Sequence, residues 1–253
     1  MSPIDRRDPI EATLPGKISR GTVPLHCFLS QIEPQGEHID LRPHQRFLHN
    51  NANRDLIAVL EGTLAIEAIL PTGRRQILEF LLPGDVVTTT SLPLPPIFPA
   101  VSIRAMTKAS AVCLDHRATA QADRVPEEYW EMLFVQMQTQ LARANAHRLM
   151  IGHLDTTSRV ASFLLSIALR TCGAMQSNLH FALPMSRDDI ADYLAMNSDT
   201  LSRIMMRFES LTLIKRLNRH EVRVGDINAL KRLTPIAQLL STMFERSRLQ
   251  LAS

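Results

Sequence analysis

Residues 183–227 constrain the fold most strongly, because they combine two short amphipathic segments with a tight break between them. Ser186 is a predicted helix N-cap, and Asp189 three residues later completes a capping-box pattern. A three-residue break at 195–197 precedes a second helix, which Ser198 is predicted to cap. The alternating stretch 217–224 then predicts a two-stranded wing with residues 218–220 at its tip. This order of elements predicts a winged helix-turn-helix.

The outward face of the second helix carries side chains that can recognise base edges in a DNA major groove. Arginine can donate two hydrogen bonds to guanine, a carboxylate can accept one from cytosine, and a hydroxyl can contact either base. The candidate base-reading residues are Ser198, Asp199, Ser202 and Arg203. Phosphate contacts position a protein without specifying sequence. The candidates for these contacts are Arg187, Asn197, Thr200, Arg207, Lys215 and Arg219.

Charge is distributed unevenly along the 253 residues, whose net charge is +3. Residues 156–253 contain 13 Lys/Arg against 8 Asp/Glu, a net charge of +5. Residues 1–155 contain 15 against 17, a net charge of −2. The positive excess therefore lies in the part that holds the helix-turn-helix, as expected for a chain whose partner is double-stranded DNA.

The chain before Pro126 follows a strand pattern, and the chain after it follows a helical one. Turns containing Gly or Pro separate most of the short β-rich segments, which lie at 55–60, 63–70, 75–82, 101–105 and 110–114. This spacing predicts an antiparallel barrel or jelly roll. The predicted organisation is α+β: a loose arm at 1–22, a β-roll at 23–125, a long helix at 126–153, and the DNA-binding domain at 154–253.

The predicted long helix would extend about 40 Å at 1.5 Å per residue. Its apolar residues follow the 4-3-4-3 spacing of a coiled-coil seam, with Arg148 as the one polar member. The seam residues are Trp130, Phe134, Met137, Leu141, Ala144 and Ile151. A long helix between two domains favours a homodimer. The alternative is an amphipathic helix that packs on its own domain.

Cysteine usage and hydropathy predict an intracellular protein. The three cysteines, Cys27, Cys113 and Cys172, are scattered and form no C-x-x-C motif, so neither a disulfide framework nor a metal site is expected. Cys172 is the candidate for a redox-active thiol. The N-terminus lacks the apolar core of a signal peptide. The longest apolar stretch, 160–169, is about half the length of a membrane helix. A cytoplasmic protein without membrane contact is therefore expected.

With these features the chain resembles the Crp/Fnr family of bacterial transcription regulators over nearly its full length. The matching segments include VLEGTLAIEAILPTGRRQILEFLLPGDVV, RVASFLL and SDTLSRIMMRF. The resemblance implies a cyclic-nucleotide-binding-type β-roll, a dimerisation helix, a winged helix, RNA polymerase as a partner, and action as an activator. It is strongest to the Fnr/FixK branch, whose E-x-x-S-R motif stands here as Asp199-x-x-Ser202-Arg203.

The recognition motif implies a palindrome of TTGAT half-sites, with one departure. Asp199 replaces the branch's glutamate and is one methylene shorter, which puts its cytosine contact in question. The Crp branch has an arginine just before the acid. Ser198 stands there in this chain, which argues against Crp-type specificity.

The predicted sensor domain departs further from the family pattern. Cyclic-nucleotide binders carry a G-E pair for the ribose and an R-S pair for the phosphate. Thr88-Thr89 and Pro99-Ala100 stand at those places, so a bound phosphate would meet no cation and cAMP is not an expected ligand. The cysteine pattern likewise argues against an iron–sulfur sensor.

Two alternatives to a regulator without a cofactor stay open at this point. A haem- or gas-sensing regulator of the same family would draw its ligand from four histidines, His26, His44, His49 and His116. A cupin-type metalloenzyme is the alternative of another class. Its ligand positions are filled by Leu48, Asn50 and Asp55, which are not a metal-ligand set. No enzyme activity and no metal are therefore expected.

Overall fold

The computed structural model describes residues 36–48, 56–88, 101–114, 127–171, 179–218 and 220–252. Within these residues the chain forms eleven strands and six helices. Their bounds in chain order are β1 (Glu37–Leu41), β2 (Arg46–Leu48), β3 (Leu56–Glu61), β4 (Leu64–Ile69), β5 (Arg75–Leu81), β6 (Val86–Thr88), β7 (Val101–Ala105), β8 (Ala109–Leu114), α1 (Glu127–His153), α2 (Thr156–Thr171), β9 (Leu179–Ala182), α3 (Arg187–Tyr193), α4 (Ser198–Ser210), β10 (Ile214–Asn218), β11 (Glu221–Val224), α5 (Ile227–Arg232) and α6 (Ala237–Ala252).

The N-terminal half is a roll of two four-stranded sheets, with strand orders β1-β8-β3-β6 and β2-β7-β4-β5. Every strand pair within these two sheets is antiparallel. Alternation along β4 places Leu64, Ile66 and Ala68 in the core between the sheets. The same alternation turns Ala65 and Glu67 to the opposite face, which the C-terminal half covers. The predicted α+β fold class with a β-roll is confirmed.

The turn between β3 and β4 requires a glycine at position 62. Gly62 has φ +78°, and a Cβ atom there would lie 2.3 Å from the Lys108 carbonyl oxygen. Only glycine fits this turn without displacing the β7–β8 connection.

Helix α1 spans Glu127–His153, so it begins one residue later than the predicted 126 and ends where predicted. Helix α2 spans Thr156–Thr171. Asp155 stabilises its first turn, since its Oδ1 accepts a hydrogen bond of 2.9 Å from the Ser158 backbone N–H. The apolar stretch 160–169 is buried in α2 apart from Ser166, so it is a core helix of the C-terminal half. Among the described helices, none combines the length and the apolar character that a membrane span requires.

The C-terminal half contains the predicted helix-turn-helix and wing. The wing strands β10 and β11 are joined by a third strand, β9, to give the order β10-β11-β9. Strand β10 begins at Ile214, three residues before the predicted wing. Strand β9 and helices α5 and α6 were not predicted.

Candidate nucleic-acid interface

Helix α3 is held by the capping box that the sequence predicted. The Asp189 backbone N–H donates to Ser186 Oγ at 3.1 Å, and the Ser186 N–H donates to Asp189 Oδ2 at 3.1 Å. Ile190 and Leu194 are buried behind it. Ala195 then takes φ 51°, the left-handed conformation that redirects the chain toward α4.

The prediction that Ser198 caps the second helix is wrong, because Asn197 is the N-cap of α4. Asn197 Oδ1 accepts a hydrogen bond of 2.7 Å from the Asp199 backbone N–H. Ser198 is the first residue of the helix. Its hydroxyl is therefore not used as the cap, and Ser198 stays a candidate base contact. Asn197 holds the start of α4 in addition to its predicted role at the DNA backbone.

Helix α4 has one buried face and one exposed face. Leu201, Ile204 and Phe208 are buried against the C-terminal core. Because a helix turns by 100° per residue, the opposite face carries Asp199 and Arg203. Both are exposed, and Ser202 beside them is half-buried. We call Asp199, Ser202 and Arg203 the reading face. Within the described part of the chain, no hydrogen bond or ion pair engages the Asp199 or Arg203 side chains.

One of the predicted phosphate contacts lies against the reading face. Arg187 lies beside it, with Nη1 3.4 Å from Ser202 Oγ. Thr200 is half-buried on α4, and Arg207 is exposed near the end of that helix. Lys215 is exposed on β10. Arg219 lies outside the described residues.

An ion cluster with a buried centre at Glu67, Arg104 and Asp189 joins the helix-turn-helix to the β-roll, and sequence reasoning missed it. We call it the interdomain ion cluster; its members are Arg46, Glu67, Arg75, Arg104, Asp189 and Asp192. Glu67, on β4, is fully buried, with Arg104 Nε 2.9 Å from its Oε2 and Arg46 Nε 2.5 Å from its Oε1.

The arginines of this cluster extend from the roll to helix α3. Arg104 Nη2 lies 2.6 Å from Asp189 Oδ1, and Arg75 Nη2 lies 3.0 Å from the same oxygen. Arg75 Nη2 also lies 2.5 Å from Asp192 Oδ2. Burial alone would raise the pKa of Asp189, but hydrogen bonds from Ser186 and Arg104 outweigh burial and lower it below the ordinary value. The same carboxylate therefore caps α3 and fastens it to the roll as an anion.

One signal in the sequence could have indicated this cluster. Glu67 is the single charged residue in the strand LAIEAI, and a buried charge requires partners. Its partners lie 37 residues away at Arg104 and, through Arg104, a further 85 residues away at Asp189. These long separations are not visible as a pattern in the sequence.

Tyr193, the last residue of α3, joins three parts of the molecule. Its ring stacks on His147 of α1 with a centroid separation of 4.1 Å and lies 5.1 Å from the ring of Phe80 on β5. His147 Nε2 also lies 2.8 Å from the Tyr193 carbonyl oxygen. Burial lowers the pKa of His147, and the hydrogen bond to that carbonyl offsets only part of the effect. Because a carbonyl oxygen only accepts, His147 Nε2 carries the hydrogen and donates it to the Tyr193 carbonyl.

The predicted seam of α1 forms an exposed apolar stripe. Phe134 and Leu141 are 60% and 58% exposed, and Trp130 and Met137 are also exposed. Ala144 and Ile151 are half-buried, and Arg148 is exposed. The other side of the helix packs inward through Ala146, His147 and Met150. Large side chains of this kind are usually buried, so an exposed row of them indicates an interaction surface.

The cysteines and histidines that were candidates for redox or haem chemistry form no site among the described residues. Cys113 is a buried thiol in β8, and Cys27 and the predicted redox thiol Cys172 lie outside the described residues. His44 is exposed, whereas the other three candidate haem ligands also lie outside them. Of the residues that the structure describes, no three His, Cys, Asp or Glu side chains are placed to hold a metal ion.

Comparison with known proteins relates this arrangement to characterised regulators. Residues 158–233 match the model of the Crp-like helix-turn-helix domain. The chain is 33% identical over 181 residues to the nitrogen fixation regulation protein FixK of Bradyrhizobium diazoefficiens, an alignment that covers 68% of this chain and 73% of the relative. It is 29% identical over 187 residues to the FixK protein of Rhizobium meliloti, covering 74% and 82%.

The fold of this chain is similar to that of a solved FixK structure. The structure of FixK2 from Bradyrhizobium japonicum superposes with a TM-score of 0.67 at 25% identity. The superposition covers 79% of this chain and 97% of that one. The roll, the long helix and the winged helix therefore occur together in a known protein.

Proposed function

Because the chain belongs to the Crp/Fnr family of DNA-binding transcription regulators, in its FixK-like branch, we propose that it binds as a homodimer to a palindrome of TTGAT-like half-sites. The observation that carries this proposal is the reading face. Asp199, Ser202 and Arg203 are presented together on the outer side of α4, in the D-x-x-S-R order that resembles the branch's motif. The relatives are regulatory proteins and not enzymes.

Each residue of the reading face has a distinct role in this proposal. Arg203 donates two hydrogen bonds to guanine O6 and N7, and Asp199 accepts from a cytosine amino group. Ser202 donates to or accepts from a neighbouring base. Arg187, Asn197, Thr200, Arg207, Lys215 and Arg219 contact the phosphates.

The apolar stripe on α1 supports the dimer. Self-association would remove Phe134 and Leu141 from water, and burying a side chain of this size contributes about 1.5–3 kcal/mol. A two-fold axis along α1 would place the two reading faces for half-sites whose centres are about one helical turn of DNA apart. The palindrome in the DNA then mirrors the symmetry of the protein.

Fluorescence anisotropy with the full chain tests the DNA site. A labelled duplex with two inverted TTGAT half-sites should bind more tightly than one with both half-sites scrambled, by at least about 10³-fold at physiological salt. A duplex with one intact half-site should fall between them. Equal affinity for the palindrome and the scrambled duplex, with a folded dimer confirmed, would refute the proposed site.

Sedimentation velocity tests the dimer. Leu141→Glu places a charge in the stripe and should shift the protein to monomer, with loss of palindrome binding. Leu70→Glu is the matched control, since Leu70 is 42% exposed and belongs to the turn between β4 and β5 rather than to α1. A Leu141→Glu protein that stays dimeric would show that the stripe is not the interface.

We further propose that the regulator acts in the cytoplasm as an activator that contacts RNA polymerase. Its roll works without cAMP or an iron–sulfur cluster, because the positions for the cyclic phosphate carry no cation and the cysteines do not cluster. Saturating cAMP should leave the palindrome affinity unchanged. Haem titration of the purified protein should give no Soret band of a ligated haem.

A further inference from the structure

Helix α4 exposes one large apolar side chain that the D-x-x-S-R motif does not include. Met206 is 53% exposed, whereas Leu201, Ile204 and Phe208 of the same helix are at most 8% exposed. Its neighbour Met205 packs against the C-terminal core. Met206 is therefore not part of the packing that holds α4 in place.

Met206 lies in line with the reading face. It is three residues after Arg203 and seven after Asp199, spacings that return to the same side of a helix. At 1.5 Å per residue, Met206 stands about 4.5 Å beyond Arg203 along the axis. Successive base pairs are about 3.4 Å apart. With α4 lying in the major groove, Met206 would reach a base pair next to the one that Arg203 is proposed to contact.

The surroundings of Met206 favour DNA over a protein partner. Asp199, Arg203 and Arg207 flank it and are exposed, so the face as a whole is charged, with one apolar side chain within it. The thymine 5-methyl group is the apolar feature of the major groove. A methionine side chain is flexible and polarisable, and it can adapt to such a group.

From this placement, and resting on the proposed function, we infer that Met206 is a further specificity-determining residue, which contacts the 5-methyl group of a thymine in the half-site. The contact selects thymine over cytosine at one position. The D-x-x-S-R motif alone would leave this position unassigned.

Deoxyuridine substitution isolates the methyl group, because uracil pairs as thymine does and lacks only the methyl. Sites are first selected with the wild-type protein from a randomised duplex library, so the test does not depend on the TTGAT sequence. Each thymine of the selected half-site is then replaced by deoxyuridine in turn. One replacement should weaken wild-type binding about fourfold, the equivalent of one buried methyl group.

The Met206 variants show whether this residue makes the contact. Met206→Ala should bind the thymine duplex about fourfold or more weakly than wild type and should show no further loss at the sensitive position. Met206→Leu should keep the sensitivity. Arg207→Ala, the control on the same helix, should weaken every duplex uniformly and keep the sensitive position.

The outcomes separate this inference from the proposed function. Selection of a site other than TTGAT contradicts the proposed half-site and leaves the methyl contact to be decided by the scan. A scan in which no deoxyuridine weakens wild-type binding overturns the inference. So does a Met206→Ala protein that loses as much affinity at the sensitive position as wild type does.

Discussion

The two helices of the helix-turn-helix differ in the partners of their charged side chains. On α3, the carboxylates of Asp189 and Asp192 are paired with Arg104 and Arg75 of the β-roll, at 2.5–3.0 Å. On α4, Asp199 and Arg203 face outward from the protein. Only four residues separate the two helices along the chain.

This difference shows that one helix of the motif attaches it to the roll and the other is available to contact a ligand. The carboxylates of Asp189 and Asp192 on α3 are used within the protein and fix the position of the motif on the roll. Asp199 and Arg203 on α4 keep their hydrogen-bonding capacity for a ligand. Because DNA recognition needs donors held at defined positions, the paired helix provides the rigidity that the outward helix needs.

The largest expected effect comes from removing the buried charge at the centre of the ion cluster. Glu67→Gln should lower the free energy of unfolding by about 3–5 kcal/mol, because the buried Arg104 loses one of its two carboxylate partners and keeps only Asp189. Urea denaturation at one fixed protein concentration measures this change. The matched substitution on the outward helix, Asp199→Asn, should change stability by no more than about 0.5 kcal/mol. Equal losses in the two variants would contradict the division between α3 and α4.

A smaller effect is expected at the start of α3. Ser186→Ala removes the hydroxyl of the capping box and should cost about 1 kcal/mol of stability. The order of preference among operator bases should stay as in wild type, because Ser186 is not on the reading face. A changed base preference, measured by competition with substituted duplexes, would show that α3 does more than hold α4.

The smallest expected effect is a pH dependence at the junction of α1 and α3. Since burial depresses the pKa of His147 in the folded protein, the unfolded chain binds a proton first as pH falls. Its contribution to stability is therefore present above about pH 6.5, the ordinary histidine pKa, and is lost as pH drops below it.

The variant His147→Gln isolates this contribution from that of Glu79. Burial raises the pKa of Glu79 and gives it a pH dependence of the opposite sign. The stability difference between wild type and His147→Gln should shrink between pH 7.5 and pH 5.5. A difference that stays constant over this range would show that His147 does not cause the pH dependence.

Some elements could be predicted from the sequence because they depend on interactions between residues that are close together in the chain. The capping box of Ser186 and Asp189 and the helix at 127–153 depend on residues within a few turns of one another. Strand β9 was missed because it pairs with β11 about 40 residues later and is only four residues long. Asn197 was missed as the cap because Ser198 next to it is an equally good capping residue.

The predicted reading-face residues lie together on α4, whereas the parts that hold the site depend on long-range pairing. Periodicity places Asp199, Ser202 and Arg203 on one side of a helix without further information. The approach of Arg104 to Asp189 requires the roll to be folded and the motif to be docked on it. No spacing rule within the sequence contains that information.

The central claim is that the outward face of α4 selects the bases, and Arg203→Ala tests it most directly. Affinities of wild type and Arg203→Ala are compared on the palindrome and on duplexes with each base pair substituted in turn. We expect Arg203→Ala to lose about 1–3 kcal/mol of binding free energy on the intact palindrome and to lose the preference for one guanine, with the preferences at other positions kept. An Arg203→Ala protein that binds the palindrome as wild type does, or that weakens equally on every duplex, would contradict it.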